Sequence, residues 1–226
     1  MAVDISMFVP CYKRWEYTLM FLQHHIDLLK KEPFTFQVVM INDGNTEEYV
    51  NKCINPFLGD YPNFTVQCVH QPHKGLRAAI LLGLRASTGQ FIQKNDNDCL
   101  LPEGWFTFAT KILDKVDAIS PAVSQSNAKN LLLEKDKRSY RPARFLGGVW
   151  LTKASKIAQA KGFTSAGGQG IWGGNILSEC GAIKTFGWST QFVAQDVGYQ
   201  KGTHRYHIKS EAHRQYSREV GRKVNW

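Results

Sequence analysis

The sequence predicts an α/β chain with a mostly parallel central sheet flanked by helices, and three observations predict it. Short apolar runs rich in β-branched and aromatic residues alternate with stretches whose apolar positions recur at helical spacing. Turn-forming residues close most of the runs. Hydrophobic residues make up 43% of the 226 positions and aromatics 12%, which supplies a core and excludes wholesale disorder.

Ile5, Ser6, Met7, Phe8 and Val9 form the first strand, which ends at Pro10. Residues 16–29 place Leu19, Phe21, Leu22, Ile26 and Leu29 at helical spacing and stop before Pro33. A second strand over 36–41 runs into Asn42, Asp43, Gly44 and Asn45, a turn sequence. Thr46 or Asn45 then caps a helix with Glu47 and Glu48 in its first turn. Residues 65–69 read as a third strand, 76–85 as a helix, and 91–93 as a fourth strand leading into Asp96, Asn97 and Asp98. A helix over 106–113 and a strand over 118–123 follow. Residues 124–140 are polar and charged without clean periodicity, and 145–151 return to apolar sequence, with Thr152 placed to cap the next helix. No repeat or low-complexity linker divides the chain, so one domain over 1–226 is expected.

The N-terminus carries no basic stretch followed by an apolar one, and the longest apolar runs, such as 78–82, fall far short of a bilayer span. A cytoplasmic location is the resulting expectation. Five scattered cysteines without a C-x-x-C pair argue against both a disulfide framework and a zinc site, and predict free, mostly buried thiols. The net charge of +9 is concentrated in 129–144 and 201–223, which favours an anionic partner.

In a parallel, helix-flanked sheet, ligands sit beyond the carboxyl ends of the strands. The segments 11–14, 42–45, 71–75 and 95–98 all follow strands, so they converge on one edge. Asp96 and Asp98, one residue apart, form a pair able to share a hard divalent cation. Asp43 or the Asn42 amide can meet the polar edge of a base, against the alternative of an Asx turn stabilised by Gly44. His73, Lys74, Gly75 and Arg77 set cations and a glycine at a helix start, which suits a diphosphate or a sugar. The phosphate-binding loop of ATPases, the dinucleotide fingerprint and the serine-hydrolase elbow are all absent.

The order of Phe8-Val9-Pro10-Cys11-Tyr12, Val39-Met40-Ile41-Asn42-Asp43-Gly44, His73-Lys74-Gly75 and Ala86-Ser87-Thr88-Gly89-Gln90-Phe91-Ile92 before Asp96-Asn97-Asp98 resembles the GT-A-fold glycosyltransferases of the family 2 type. The resemblance is strong over the first half and weaker through Gly147-Gly148-Val149-Trp150. It implies a single GT-A (Rossmann-like) domain, with residues 1–100 as the nucleotide-sugar-binding half and 101–226 as the acceptor half. It also implies a nucleotide-sugar donor, a UDP-sugar foremost, and Mn2+ or Mg2+. Pro10, Tyr12 and Arg14 would line the nucleotide pocket, with Asp43 on the base and Lys74, Gly75 and Arg77 near ribose and diphosphate. Asp96 and Asn97 would face ribose or sugar, and Asp98, together with Asp96, would hold the metal.

The second half departs from the family pattern, because the Gly170-Ile171-Trp172-Gly173-Gly174-Asn175 setting has no carboxylate. Asp196 is read either as a metal ligand, standing where relatives have histidine, or as the general base. His204, His207 and His213 are spare candidates for ligation or phosphate contact. Acceptor contacts are assigned to Trp150, Trp172, Gly173, Gly174, Arg141, Arg144 and His207. Basic clusters interleaved with aromatics suit an unstacked base and its phosphates. The compact, basic build also resembles bacteriophage DNA glycosyltransferases, which implies a hydroxymethylated base in DNA as acceptor. The alternatives are a polysaccharide or protein acceptor, or an inactive nucleic-acid-binding relative.

Overall fold

The computed structural model describes residues 2–101, 103–114, 118–121, 140–142, 149–159 and 185–188. Its elements in chain order are β1 (Ile5–Cys11), α1 (Trp15–Leu29), β2 (Phe36–Asp43), α2 (Glu47–Cys53), β3 (Gly59–Asp60), β4 (Phe64–Gln71) and α3 (Leu76–Ala86). They continue with β5 (Phe91–Lys94), α4 (Trp105–Ile112), β6 (Ala118–Pro121), β7 (Tyr140–Pro142), β8 (Trp150–Lys153), α5 (Ala154–Gln159) and β9 (Thr185–Trp188). The strands form one sheet in the order β3-β4-β2-β1-β5-β8-β6-β9-β7. Five strands run with β1, while β3, β7 and β8 oppose it, so the sheet is mostly parallel as expected.

Alternation along β1 separates two cores. Ile5, Met7 and Val9 face α1, α2 and α4 through Phe21, Val50 and Phe106. Phe8 faces α3 with Val39, Ile41 and Ile80. Gly83 lets α3 come this close, since a Cβ there would lie 2.3 Å from the Phe8 ring. Ser6 and Gln37 are buried polar residues on the α3 side. Their side-chain oxygens accept from the Thr88 and Gly89 amides, which fixes the α3–β5 turn. Thr46 caps α2 as expected, its hydroxyl accepting from the Tyr49 amide at 3.3 Å.

Two expectations change. Thr152 does not cap a helix: it is buried inside β8, opposite Ile92 and Ala118. Residues 59–60 also add a short strand, β3, at the sheet edge beside β4.

His25 is buried in α1 as a neutral ring. Nδ1–H donates to the Phe21 carbonyl at 2.9 Å, and Nε2 accepts from the Leu101 amide at 3.4 Å. Burial, with the neighbouring His24 charge second, pulls its pKa down to about 3. The unfolded chain therefore binds this proton more readily than the folded one below the ordinary histidine value of 6.5. Stability contributed here is intact above that value and drains as pH falls from 6.5 towards 3, by up to about 1.4 kcal/mol per pH unit. Urea unfolding of the wild type and His25→Gln across that window should show a shallower pH slope for the variant; parallel slopes would exclude His25 as the source.

The described cysteines match the expectation of free thiols. Cys11, Cys53 and Cys99 are buried and Cys68 is partly so. Burial raises the thiol pKa at Cys11, and at Cys68 to about 11, which leaves both inert. Cys180 lies outside the described residues.

Candidate active site

The carboxyl ends of β1, β2, β4 and β5 lie side by side, and their following segments interlock. Pro10 sits in β1 opposite Ile41, buried. The β1–β5 ladder ends with the Asn95 amide on the Phe8 carbonyl at 3.1 Å, and Pro10 has no N–H to extend it. From that point β5 departs into Asp96–Asp98, and β1 into the Tyr12–Arg14 turn.

That turn is held in a costly shape. Lys13 and Arg14 both have left-handed backbones, φ 53 and 59, each costing on the order of 1 kcal/mol for a residue with a Cβ. Asn45 compensates from the β2 loop. Its Oδ1 accepts from the Lys13 amide, and its Nδ2 donates to the Cys11 carbonyl at 2.8 Å. The turn carries the Arg14 guanidinium over the Tyr17 ring, 4.5 Å from its centre, and onto Asp98 Oδ2 at 2.6 Å.

Asp43 is buried and receives four donors. Oδ1 accepts from Gln71 Nε2 at 2.7 Å and the Lys74 amide at 2.9 Å; Oδ2 accepts from His73 Nδ1 at 2.8 Å and the Gly75 amide at 3.0 Å. A carboxylate offers about four lone-pair positions, so here Asp43 builds the loop before α3 rather than presenting a free acceptor to a base. Tyr12 stacks on His73 at 3.8 Å between ring centres, which joins the β1 and β4 loops. Gly44 is obligatory at this junction: its φ is +78, and a Cβ would meet the His73 backbone nitrogen at 2.5 Å. Lys74 is exposed and Arg77 lies half-buried in the first turn of α3.

Lys94, wholly buried at the end of β5, pairs its ammonium with Asp96. Burial raises the Asp96 carboxyl above the ordinary range and the Asp98 charge adds to this, while Lys94 and Arg14 oppose the shift. Ligand atoms of Asp96, Asp98 and Cys99 lie within 4.8 Å of one another. The two carboxylates suit a hard cation such as Mn2+ or Mg2+; the buried Cys99 thiol, whose weak donor faces Asp98 Oδ1 at 3.5 Å, does not. Beside Arg14, a cleft of about 350 Å³ opens between the starts of α1 and α2, walled by Tyr12, Trp15, Asn45, Tyr49 and Lys52, a volume within the range of small-molecule sites.

The structure thus gathers Tyr12, Arg14, Asp43, Lys74, Gly75, Asp96 and Asp98 at one edge. Two residues assigned to ligands turn elsewhere. The Asn97 amide donates to Thr18 Oγ1 at 2.8 Å and is buried against α1, so it braces the acidic loop instead of facing a donor. Trp150 is fully buried against Phe8, ring centres 5.9 Å apart, and is a core residue rather than an acceptor contact. Arg141 lies in β7, paired with Gly187. Asp196, Trp172, Gly173, Gly174, Arg144, His204, His207 and His213 lie outside the described residues. Lys94 escaped the sequence reading, although a lysine closing a buried strand just before two aspartates is a legible signal of a charge with a dedicated partner. No described helix is long and apolar enough to cross a membrane.

Comparison with known proteins agrees with the fold. The family described as "Glycosyl transferase family 2" matches residues 6–168. An uncharacterized glycosyltransferase of Rickettsia bellii (strain RML369-C) is 29% identical over 96 residues, covering 42% of this chain and 13% of that protein. The chain therefore spans a small fraction of that relative's length. Among solved structures, the mannosyltransferase PcManGT from Pyrobaculum calidifontis, in complex with GDP-Man and Mn2+, superposes with a TM-score of 0.60 at 16% identity, over 92% of this chain and 61% of that one. GalNAc-T7 with UDP, GalNAc and Mn2+ gives 0.61 at 15% identity, over 84% of this chain and 43% of that one. S. aureus TarS 1-349 gives 0.51 at 15%, over 82% and 58%. At these identities the likeness establishes the fold, and the GT-A architecture holds.

Proposed function

Because this chain belongs to glycosyl transferase family 2, we propose that it moves a sugar from a nucleoside diphosphate donor, a UDP-sugar foremost, onto an acceptor hydroxyl with the aid of Mn2+ or Mg2+. The observation that carries the reading is the meeting of Arg14 with Asp98 at the shared end of four parallel strands, beside Asp96. Asp98 would hold the cation with Asp96 next to it, and the cation would supply charge stabilisation for the departing diphosphate. Arg14, Lys74 and Arg77 supply fixed positive charge for the same phosphates. Tyr12 offers a face for the base, and Asp43 keeps the β4–α3 loop shaped around it. Asp196 completes the proposal, either as a further metal ligand or as the base that takes the acceptor proton.

For the acceptor, the proposal is a hydroxymethylated base in DNA. Its support is the basic character of the sequence, +9 overall and densest at 129–144 and 201–223 with aromatics interleaved. A panel of nucleotide sugars with Mn2+ or Mg2+, offered plain and hydroxymethylated duplexes, tests both levels. The expected result is one nucleotide sugar consumed only with metal, and a hydroxymethylated nucleoside gaining the mass of one sugar. DNA binding should also weaken steeply between 50 and 200 mM salt, by about 10³-fold or more if several phosphates are neutralised. Metal-dependent donor turnover with unmodified DNA and salt-insensitive binding would shift the acceptor to a polysaccharide or a protein side chain.

A further inference from the structure

The carboxylate pair is not an open acidic cluster, because each member already faces a cation from its own chain. Lys94 is fixed to Asp96 by the sheet itself. It pairs in register with Phe8 on β1 and Trp150 on β8, so its stem stands in one cross-strand row between two buried aromatics. The Lys94 side chain has no exposed surface. Arg14 is held differently. It sits on a loop in a left-handed conformation at the start of α1, stacked on Tyr17, and reaches Asp98 from the rim of the cleft.

We propose that Lys94 and Arg14 are internal counter-ions that set the metal affinity of this site: Lys94 a permanent partner of Asp96, Arg14 an exchangeable partner of Asp98 that a nucleoside diphosphate draws away. This rests on the donor-site reading above and goes beyond it by assigning Lys94, a residue with no place in that reading. The physical argument is charge. Among the described groups, Lys94 and Arg14 balance the charge of the two carboxylates, so a divalent cation entering alone meets repulsion that offsets its attraction to the aspartates. A diphosphate adds negative charge beside the pair and competes for the Arg14 guanidinium, which suits bidentate phosphate contact. The Arg14 guanidinium then competes less with the cation for Asp98. Metal and donor are coupled, and by linkage each strengthens the other's binding.

The proposal makes a prediction whose sign separates it from a purely structural role. If Lys94 and Arg14 merely prop the loop, removing either should weaken Mn2+ binding. If they are counter-ions, removing either should tighten it. Mn2+ titration of the nucleotide-free protein, followed by loss of the free-ion electron-spin signal, should show Lys94→Met and Arg14→Gln each binding at least about tenfold tighter than wild type. Metal-free affinity for UDP and GDP should fall in R14Q and hold in K94M, which distinguishes the exchangeable cation from the permanent one. Thermal melts identify a misfolded variant, and the other variant then carries the test. Unchanged or weaker Mn2+ binding in the folded variants overturns the proposal and leaves the metal site standing. Absence of Mn2+ binding in every protein, with or without nucleotide, overturns the donor-site reading and this proposal with it.

Discussion

Asp98→Asn should lower metal-dependent transfer from a nucleotide sugar by about a thousandfold or more while leaving the melting temperature nearly unchanged. The substitution keeps the side-chain shape and one oxygen able to accept from Arg14 Nη2, which now lies 2.6 Å away. It removes the full negative charge that a hard cation requires, and a neutral amide oxygen is a weak replacement. Asp98 is partly exposed and the amide still offers Arg14 an acceptor, so little of the folded state should be lost. The effect should therefore appear as turnover lost at every Mn2+ concentration, with an unshifted thermal melt. Turnover within a few-fold of wild type at saturating donor would remove Asp98 from the metal site.

The contrast between Asp98 and its neighbours shows what the sequence carries and what it does not. The strand ends were legible because β1, β2, β4 and β5 alternate or run apolar and end near Pro10, Gly44 and the Asp96-Asn97-Asp98 turn, and parallel topology puts such ends together. Where a side chain points within that edge is a matter of packing between distant segments. Asn97 sits between two aspartates, yet its amide turns the other way to Thr18, which is 79 residues earlier. Trp150 follows a glycine pair in the sequence, but β8 runs antiparallel between β5 and β6 and presses the indole onto Phe8. Thr152 reads as a helix cap by local chemistry and is overruled by the same strand. Lys94 is local to the motif, and its meaning comes from the two aromatics that wall it in from other strands.

Asp43→Ala should be the most destabilising single change at the edge, and its cost follows from counting donors. Four groups converge on this buried carboxylate: Gln71 Nε2, His73 Nδ1 and the amides of Lys74 and Gly75. Removing the acceptor leaves polar hydrogens in a site from which water has been displaced, and the expected loss is about 3–5 kcal/mol. For a chain of this size that corresponds to a fall in melting temperature on the order of 10 °C. Asp43→Asn should rescue little, because its amide nitrogen would point a donor at two existing donors. The loss also reaches the ligand edge. His73 is held between Asp43 and the Tyr12 ring, so releasing it loosens both the β1 and β4 loops that would frame the proposed donor. Nucleoside diphosphate affinity should fall with stability in both variants, and Gln71→Ala, which removes one donor and leaves the acceptor, should be mild in both measurements. A D43A protein melting within a degree or two of wild type would mean that the carboxylate does not organise this loop, and that it is free to serve a base as the sequence first indicated.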